Sequence, residues 1–289
     1  MEIVSNQWKD YEIIDAGDGE KLERWGKYLL RRPDPACLWP KDPKILEWNH
    51  PDGYYHRSNT GGGSWQFFTT LPEYWVLNYH ELTFKVAPTG FKHTGLFPEQ
   101  AANWDWVRDL IVNQTREINV LNLFAYTGAA SLAAAKAGAK EVCHVDASKG
   151  MNAWAKENMA LSHLEDHAIR FIVDDVLKFV QREARRGHVY QGIIMDPPSY
   201  GRGPDGEMWK LEQQLPKLIA ECEKILDPDP LFFLVNAYTT GYSEGSLRNL
   251  LKLTLGKKYP QKKIETGSLN LPIKREGLIL PTGIVGRVS

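Results

Sequence analysis

Apolar positions follow two alternating patterns between residue 118 and about residue 255. Short continuous apolar runs, typical of strands covered on both faces, are followed by segments with helical periodicity or helix-forming composition. The patterns predict strands at 118–124, 141–146, 169–173, 191–196 and 231–237, and helices at 129–137, 150–162, 176–186, 208–226 and 246–255. Strict strand–helix alternation predicts an α/β fold with a parallel, doubly wound sheet and right-handed crossovers.

Two places in this part of the chain depart from the simple alternation. Pro216 lies inside the predicted helix 208–226, which predicts either a kink there or a helix that begins only at Leu215. Residues 268–271 and 277–280 form two short strand-like runs. We expect these runs to pair as an antiparallel hairpin at the edge of the sheet.

The first ninety residues have a different pattern. Short strand-like runs at 65–70, 75–78 and 82–86 are separated by turns such as Gly-Gly-Gly at 61–63. Beyond this part of the chain, a helix is predicted to begin near Glu99. Six of the ten tryptophans fall by residue 75, so this part must fold. We expect a small β-rich domain at residues 1–90 and a second domain at residues 91–289. The small domain is a candidate for substrate binding, although filling a small core explains most of its aromatic residues better.

The composition and charge of the chain limit the classes of protein and partner that can be expected. The chain has 289 residues, 43% of them hydrophobic, with no leader-like start and no apolar run long enough to span a membrane, which predicts a cytoplasmic protein without a membrane partner. Its three cysteines are far apart and lack metal-site spacing, so neither a disulfide framework nor a metal is expected. The net charge of -1 argues against a general polyanion binder. Residues 252–275 nevertheless hold seven lysines and arginines against one acid, a local patch compatible with RNA or with a solvated surface.

Acidic residues stand at the ends of several predicted strands, which share one edge of a parallel sheet. Asp146 ends the second strand, Asp174 and Asp175 follow the third, and Asp196 follows the fourth. An acid at the end of the second strand can accept both hydrogen bonds from a ribose diol. A single such acid is often only a helix cap, but several in register predict a ligand site.

The turn after the first strand selects among ribose-containing cofactors. A dinucleotide pyrophosphate requires G-x-G-x-x-G, whereas Gly128 is followed by Ala129, Ala130 and Ser131. The missing glycines disfavour a nicotinamide-dependent oxidoreductase and favour a cofactor with ribose and adenine but no phosphate. S-adenosylmethionine fits this description, and its cationic groups favour the nearby acids. Asp175, or Asp174 beside it, would then bind the adenine amino group.

The segments VLNLFAYTGAASLAAAKAGA, VCHVDAS, FIVDDVLKFV and IIMDPPSYGRG, preceded by FKHTGLFPEQ, resemble the ordered motifs of class I S-adenosylmethionine-dependent methyltransferases. The closest resemblance is to the branch that modifies cytosine or guanine of large-subunit ribosomal RNA. It implies a Rossmann-like seven-stranded sheet with an antiparallel seventh strand. The cofactor contacts that it implies are Phe97, Gln100, Phe124, Ala125, Tyr126, Thr127, Gly128, Asp146, Ala147, Ser148, Asp174, Asp175 and Asp196, with Asn158 near the site.

The chain departs from the cytosine C5 branch of this family. That branch carries a nucleophilic cysteine after the fifth strand, where this chain has Thr239-Thr240-Gly241, so C5 chemistry is disfavoured unless Cys37 folds over the site. The alternative is transfer to a nitrogen, with the candidate catalytic residues Asp196, Pro197, Pro198 and Tyr200. In the known nitrogen-methylating pattern an aromatic residue directly follows the two prolines, whereas here Ser199 intervenes.

Ribosomal RNA is the expected partner. The alternatives are a methyltransferase of a protein or a small molecule, the oxidoreductase, and a cofactor-binding protein without catalysis. The oligomeric state is left open.

Overall fold

The computed structural model describes residues 1–58, 62–90, 92–202, 208–239, 241–275 and 277–289. The chain forms two compact units. The large unit contains Met1–Ile3, Asn103–Leu269 and Gly283–Ser289, and the small unit contains Val4–Ala102 and Asn270–Thr282. The domain bounds expected from the sequence, 1–90 and 91–289, stay a prediction, and the compact units divide the chain at different positions.

The described residues form strands, α-helices and short 3-10 helices. In chain order the strands are β1 (Glu2–Val4), β2 (Tyr11–Gly17), β3 (Glu20–Trp25), β4 (Tyr28–Pro33), β5 (Gly53–Arg57), β6 (Gly63–Phe67), β7 (Trp75–Tyr79), β8 (Leu82–Val86), β9 (Asn119–Leu123), β10 (Glu141–Asp146), β11 (Ile169–Val173), β12 (Gly192–Met195), β13 (Tyr200–Arg202), β14 (Met208–Lys210), β15 (Phe232–Ala237), β16 (Ile264–Pro272) and β17 (Ile279–Val288). The α-helices are α1 (Ala101–Val112), α2 (Ala129–Lys136), α3 (Lys149–Leu161), α4 (Val176–Arg186), α5 (Leu211–Ile225), α6 (Glu244–Leu253) and α7 (Leu255–Lys258). The 3-10 helices lie at Leu46–Asn49 and Pro98–Gln100.

The large unit is built on a sheet with the strand order β1-β16-β17-β15-β12-β9-β10-β11. Strands β9, β10, β11, β12 and β15 pair in parallel, and β17 pairs antiparallel to β15. This arrangement confirms the predicted Rossmann-like sheet with an antiparallel seventh strand, to which β1 adds an eighth. The order reverses between β9 and β12, and in such sheets the crevice at the carboxyl ends of the reversing strands is the usual ligand site.

Apolar helix faces contribute to the core of the large unit. The inward side of α5 is buried along its length, with Leu211, Leu218 and Ile225 at 2% exposure or less. Trp104, Val107 and Ile111 of α1 are also buried. Among the described residues no helix is long and apolar enough to cross a membrane.

The small unit is β-rich, as predicted. It contains a five-stranded sheet of order β2-β3-β4-β5-β6 and the hairpin β7-β8. The small unit also includes residues after position 90, which are connected to its strands by hydrogen bonds and a β-bridge. The Ser5 hydroxyl donates to the Glu99 carbonyl at 2.5 Å, and Ile273 forms a bridge with Ile13.

Two local predictions were wrong in detail, the start of the fourth helix and the bounds of the two closing strands. Residues 208–210 form strand β14, paired with β13, so the predicted helix 208–226 begins only at Leu211. The helix therefore begins before Leu215 and contains Pro216 in its second turn. The two closing strands are longer than the predicted 268–271 and 277–280, because pairing within the large sheet extends them. Gly61 of the predicted glycine turn lies outside the described residues.

Candidate active site

The loop that follows β9 has an unusual backbone. Phe124 and Tyr126 adopt φ values of 55° and 51°, and Gly128, the N-cap of α2, adopts 91°. Non-glycine residues in the left-handed region are uncommon, and such strain persists only where surrounding contacts hold it. Two contacts are evident. The buried Asn158 amide donates to the Thr127 carbonyl at 2.8 Å, and Gly128 lies so close to α3 that a Cβ there would be 2.9 Å from the Cβ of Ala155.

Asp146 connects the ends of β9 and β10. One carboxylate oxygen accepts from the Tyr126 amide and the other from the Ser148 amide, both at 2.9 Å. Burial raises the pKa of the Asp146 carboxyl, and these two amides oppose that rise. Because each carboxylate oxygen has two lone pairs, Asp146 retains one further acceptor site on each oxygen. The residue therefore supports the loop and can still accept a diol.

The buried Asn152, whose contribution the sequence did not indicate, supports the same strand end. Its side-chain amide donates to the carbonyls of Asp146 and Ser148, each at 3.1 Å. The Ser148 hydroxyl accepts from the Met151 amide and caps α3, while Ala147 is half-buried between them. This part of the site is therefore fixed from the helix side as well as from the strand.

The two acids after β11 have partners of their own. Asp175 is the N-cap of α4, and its carboxylate accepts from the Lys178 amide at 2.8 Å. Asp174 forms an ion pair with Arg182, and its amide donates to the Asp146 carbonyl at 3.3 Å. Both carboxylates therefore have a structural role, Asp175 as a helix cap and Asp174 in an ion pair. This role leaves room for a ligand, because each carboxylate has further lone pairs.

The Asp-Pro-Pro segment lies where the sheet order reverses. The Asp196 amide donates to the Leu123 carbonyl at 3.3 Å, which places Asp196 beside the end of β9. Pro197 is buried and Pro198 is exposed. Downstream, the Ser199 carbonyl accepts from the Leu211 amide at 3.2 Å. Tyr200 is 54% exposed, and its hydroxyl donates to the Met208 sulfur at 3.1 Å.

Trp209 is the aromatic residue that the sequence analysis missed. Its indole N–H donates to the Pro198 carbonyl at 2.6 Å, and its ring meets the Phe124 ring edge-on with centroids 4.8 Å apart. No local motif signals this role, because the contact depends on the pairing of Gly201 with Trp209 in the β13-β14 hairpin. Gly203 of the predicted motif belongs to residues 203–207, which lie outside the described residues, as does Thr240.

Phe97 and Gln100 belong to the small unit, unlike the other candidate cofactor residues. The Gln100 amide donates to the Phe97 carbonyl at 3.0 Å, and the rings of Phe97 and His93 lie 5.1 Å apart. Gln100 is buried and Phe97 half-buried. Phe91, the first residue of the motif before them, lies outside the described residues.

All three cysteines are fully buried and carry free thiols. Burial raises the pKa of Cys37 and of Cys143 to about 12, and it also raises that of Cys222. A nucleophilic cysteine needs a lowered pKa and an accessible sulfur. None of the three has either property. Among the described residues no group of three or more His, Cys, Asp or Glu side chains could hold a metal ion.

Comparison with known proteins gives concordant results. The family described as S-adenosylmethionine-dependent methyltransferase matches residues 54–236. The SAM-dependent methyltransferase from Agrobacterium tumefaciens is 37% identical, with a TM-score of 0.93 over 99% of this chain and 92% of that one. SMU.776, a structure complexed with SAH, is 20% identical with a TM-score of 0.73 over 98% of this chain and 76% of that one, a likeness of fold alone.

A curated relative is also similar to part of the chain. The Ribosomal RNA large subunit methyltransferase K/L of Shewanella frigidimarina is 35% identical over 147 residues, which are 50% of this chain and 20% of the relative. The chain thus spans about a fifth of the length of the curated relatives that it matches.

Proposed function

The chain belongs to the S-adenosylmethionine-dependent methyltransferase family, and from this premise we propose that it methylates a nitrogen of a ribosomal RNA base. The family assignment sets aside the nicotinamide-dependent oxidoreductase. Similarity to a ribosomal RNA large subunit methyltransferase over half of the chain supports RNA as the acceptor, in preference to a protein or a small molecule. We therefore also propose a cytoplasmic location, because an enzyme that methylates ribosomal RNA would act there.

The cofactor of the family is S-adenosylmethionine, which supplies an electrophilic methyl group when bound. The strand-end residues fit it. Asp146 offers one remaining lone pair on each oxygen for a ribose diol, and the Gly128 turn keeps the backbone free of a Cβ. In the proposed site Asp175 or Asp174 accepts from the adenine amino group. Residues 124–128, Ala147 and Ser148 form the surrounding wall, and Asn158 acts by holding Thr127. Cofactor contacts by Phe97 and Gln100 stay a prediction from the family resemblance.

The choice of nitrogen over cytosine C5 rests on the burial of all three thiols. Attack on C6 of cytosine requires an accessible thiolate, and Cys37, the one thiol left open by the sequence, is fully buried with a raised pKa. This single observation carries the assignment. Direct transfer to nitrogen needs no covalent intermediate and depends on positioning and desolvation.

Asp196 is the proposed catalytic residue. An exocyclic base nitrogen is a poor nucleophile because its lone pair is delocalised into the ring. A hydrogen bond from its N–H to the Asp196 carboxylate, and a second one to the Pro197 carbonyl, would orient the nitrogen towards the methyl group. The Pro198 carbonyl is already engaged by Trp209, which holds this segment in place. Base stacking by Tyr200 stays a prediction, because its ring is exposed on the neighbouring hairpin.

The test uses tritium-labelled S-adenosylmethionine with ribosomal RNA, cell protein and small-molecule extract as separate acceptors, followed by mass spectrometry of RNA nucleosides. We expect label in RNA, in an N-methylated nucleoside. Asp196→Asn should lower the single-turnover rate about 100-fold, with cofactor affinity changing much less. A variant with all three cysteines replaced by alanine serves as the control and should keep its rate within a few-fold.

Three results would contradict the proposal. Label in protein or small molecules alone would exclude RNA as the acceptor. A 5-methylcytosine product, or loss of activity in the folded cysteine-free variant, would restore the C5 mechanism. A normal rate for Asp196→Asn would remove this residue from catalysis and leave it as a support of the loop.

A further inference from the structure

One face of the five-stranded sheet in the small unit combines aromatic and basic side chains. In the antiparallel pair β5-β6, Tyr55 lies opposite Trp65 and Arg57 lies opposite Gly63. Residues opposite each other or two apart on a strand share a face of the sheet, so Tyr55, Arg57, Trp65 and Phe67 project to the same side. Strand β6 is at the edge of this sheet. The aromatic side chains therefore stand at an edge rather than in the middle of the sheet.

The aromatic residues become more exposed along this face. Tyr55 is buried, Trp65 is half-buried, and Phe67 is 48% exposed. The rings of Trp65 and Phe67 are nearly parallel, with an interplanar angle of 5° and centroids 6.0 Å apart. The Trp65 indole donates to the Thr89 carbonyl at 3.0 Å and meets Tyr55 edge-on, so its ring is fixed. An exposed ring beside a fixed, parallel ring is a suitable platform for a planar ligand.

Positive charge lies on the same face. Arg32, on the same side of the neighbouring strand β4, donates to the Lys92 carbonyl at 2.8 Å, and Thr89 bonds to the His93 carbonyl at 2.9 Å. The segment around Lys92 is thereby held against the aromatic residues. Arg32 is neutralised by Glu23. Among the described residues, the side chains of Arg57 and Lys92 have no ion-pair partner.

The surroundings of Lys92 contain excess positive charge. Burial lowers the pKa of the Lys92 ammonium, as do the charges of Lys21, Arg32 and Arg57, and Asp34 is the opposing acid. Asp34 is itself 3.3 Å from the Lys21 ammonium. Arg57 shares the face with the exposed Phe67 ring, and Lys92 is close enough to Arg57 and Arg32 for their charges to lower its pKa. Exposed aromatic rings together with cations are the combination that attracts a polyanion with stackable bases.

We infer that this aromatic–basic face, formed by Arg57, Trp65, Phe67 and Lys92, binds single-stranded RNA, with a base stacked on Phe67 and phosphates at the two cations. The inference rests on the proposed function and adds a binding surface on the small unit. A duplex is a poorer fit, because its bases are already stacked within the helix and are not available to an aromatic ring.

The experiment measures binding of the full chain to a fluorescein-labelled, unstructured RNA decamer by fluorescence anisotropy over a range of salt concentrations. Phe67→Ala should weaken binding about tenfold with the salt dependence unchanged. Arg57→Gln combined with Lys92→Gln should lower the slope of log K against log salt by about 1.4, since each phosphate contact on a single strand contributes about 0.7. Melting temperatures establish that the variants are folded.

Matched controls come from the same unit. Phe68 is adjacent in sequence and 54% exposed but lies just beyond the end of β6, and Lys44 is exposed. Phe68→Ala and Lys44→Gln should bind within about twofold of the parent, because neither removes a ring or charge from the face.

The outcomes separate this inference from the proposed function. If the parent methylates or binds RNA and the Phe67 and Arg57/Lys92 variants match their controls, the face is not the RNA site and the proposed function stands. If the parent neither binds nor methylates RNA, both ideas fail. Equal affinity for an RNA duplex of the same length would overturn base stacking on Phe67.

Discussion

Replacing Gly128 by alanine should destabilise the large unit and weaken cofactor binding. Alanine at φ 91° is strained by about 1–2 kcal/mol, because its Cβ crowds the following carbonyl. The new Cβ would also lie 2.9 Å from the Ala155 Cβ, and overpacking of this kind costs typically about 1–3 kcal/mol. Together these effects predict a loss of about 2–5 kcal/mol in the free energy of unfolding.

A matched control separates the two contributions. Gly138 also has a positive φ, 98°, but a Cβ there would meet no atom within 4 Å. Gly138→Ala should therefore lose only the backbone part, about 1–2 kcal/mol. The double variant Gly128→Ala/Ala155→Gly should recover part of the clash, after allowance for about 1 kcal/mol that glycine costs inside a helix.

Denaturant unfolding and calorimetry with S-adenosylmethionine test this reasoning on the same preparations. We expect Gly128→Ala to bind the cofactor at least tenfold more weakly and Gly138→Ala to bind it normally. If Gly128→Ala were no less stable than Gly138→Ala and bound the cofactor equally well, the close approach of the turn to α3 would have no energetic importance, and the argument for a cofactor cradle would fail.

Three further predictions concern the same unit. Asp146→Asn should lower affinity for S-adenosylmethionine by about tenfold or more, because hydrogen bonds to charged acceptors contribute about 1.5–3 kcal/mol each, and unchanged affinity in calorimetry would remove Asp146 from the ribose site. Trp209→Phe keeps an aromatic ring near Phe124 but frees the Pro198 carbonyl, so single-turnover methyl transfer should slow about tenfold while cofactor affinity is retained; an equal loss of both would indicate a merely structural role. Burial lowers the pKa of His144 to about 3 from 6.5, so the unfolded chain takes up a proton that the folded chain excludes, and stability falls as the pH drops below 6.5. Between pH 7 and pH 5 the parent should lose about 2 kcal/mol more than His144→Gln in urea unfolding, and equal losses would contradict a buried neutral imidazole.

The strand–helix succession of the large unit could be predicted from the sequence, because it is encoded by local periodicity. Predicted and observed bounds coincide for β10, β11 and α4, whose apolar spacing and caps lie within a few residues. The position of Asp146 at a strand end follows from the same local pattern, as does the departure from a dinucleotide turn at Gly128. These features need no information from distant parts of the chain.

The partners of those residues were decided only by the tertiary structure. Nothing near Asp146 in the sequence indicates that its carboxylate accepts from the Tyr126 amide, because that bond exists only once β9 and β10 are paired. Trp209 contacts Pro198 only because β13 and β14 are paired. The same pairing explains why residues 208–210 form a strand where the sequence predicted the start of a helix. Periodicity over ten residues reports which face of an element is buried. The residue that it meets across the chain depends on strand order and register, which are set by packing of the whole sheet.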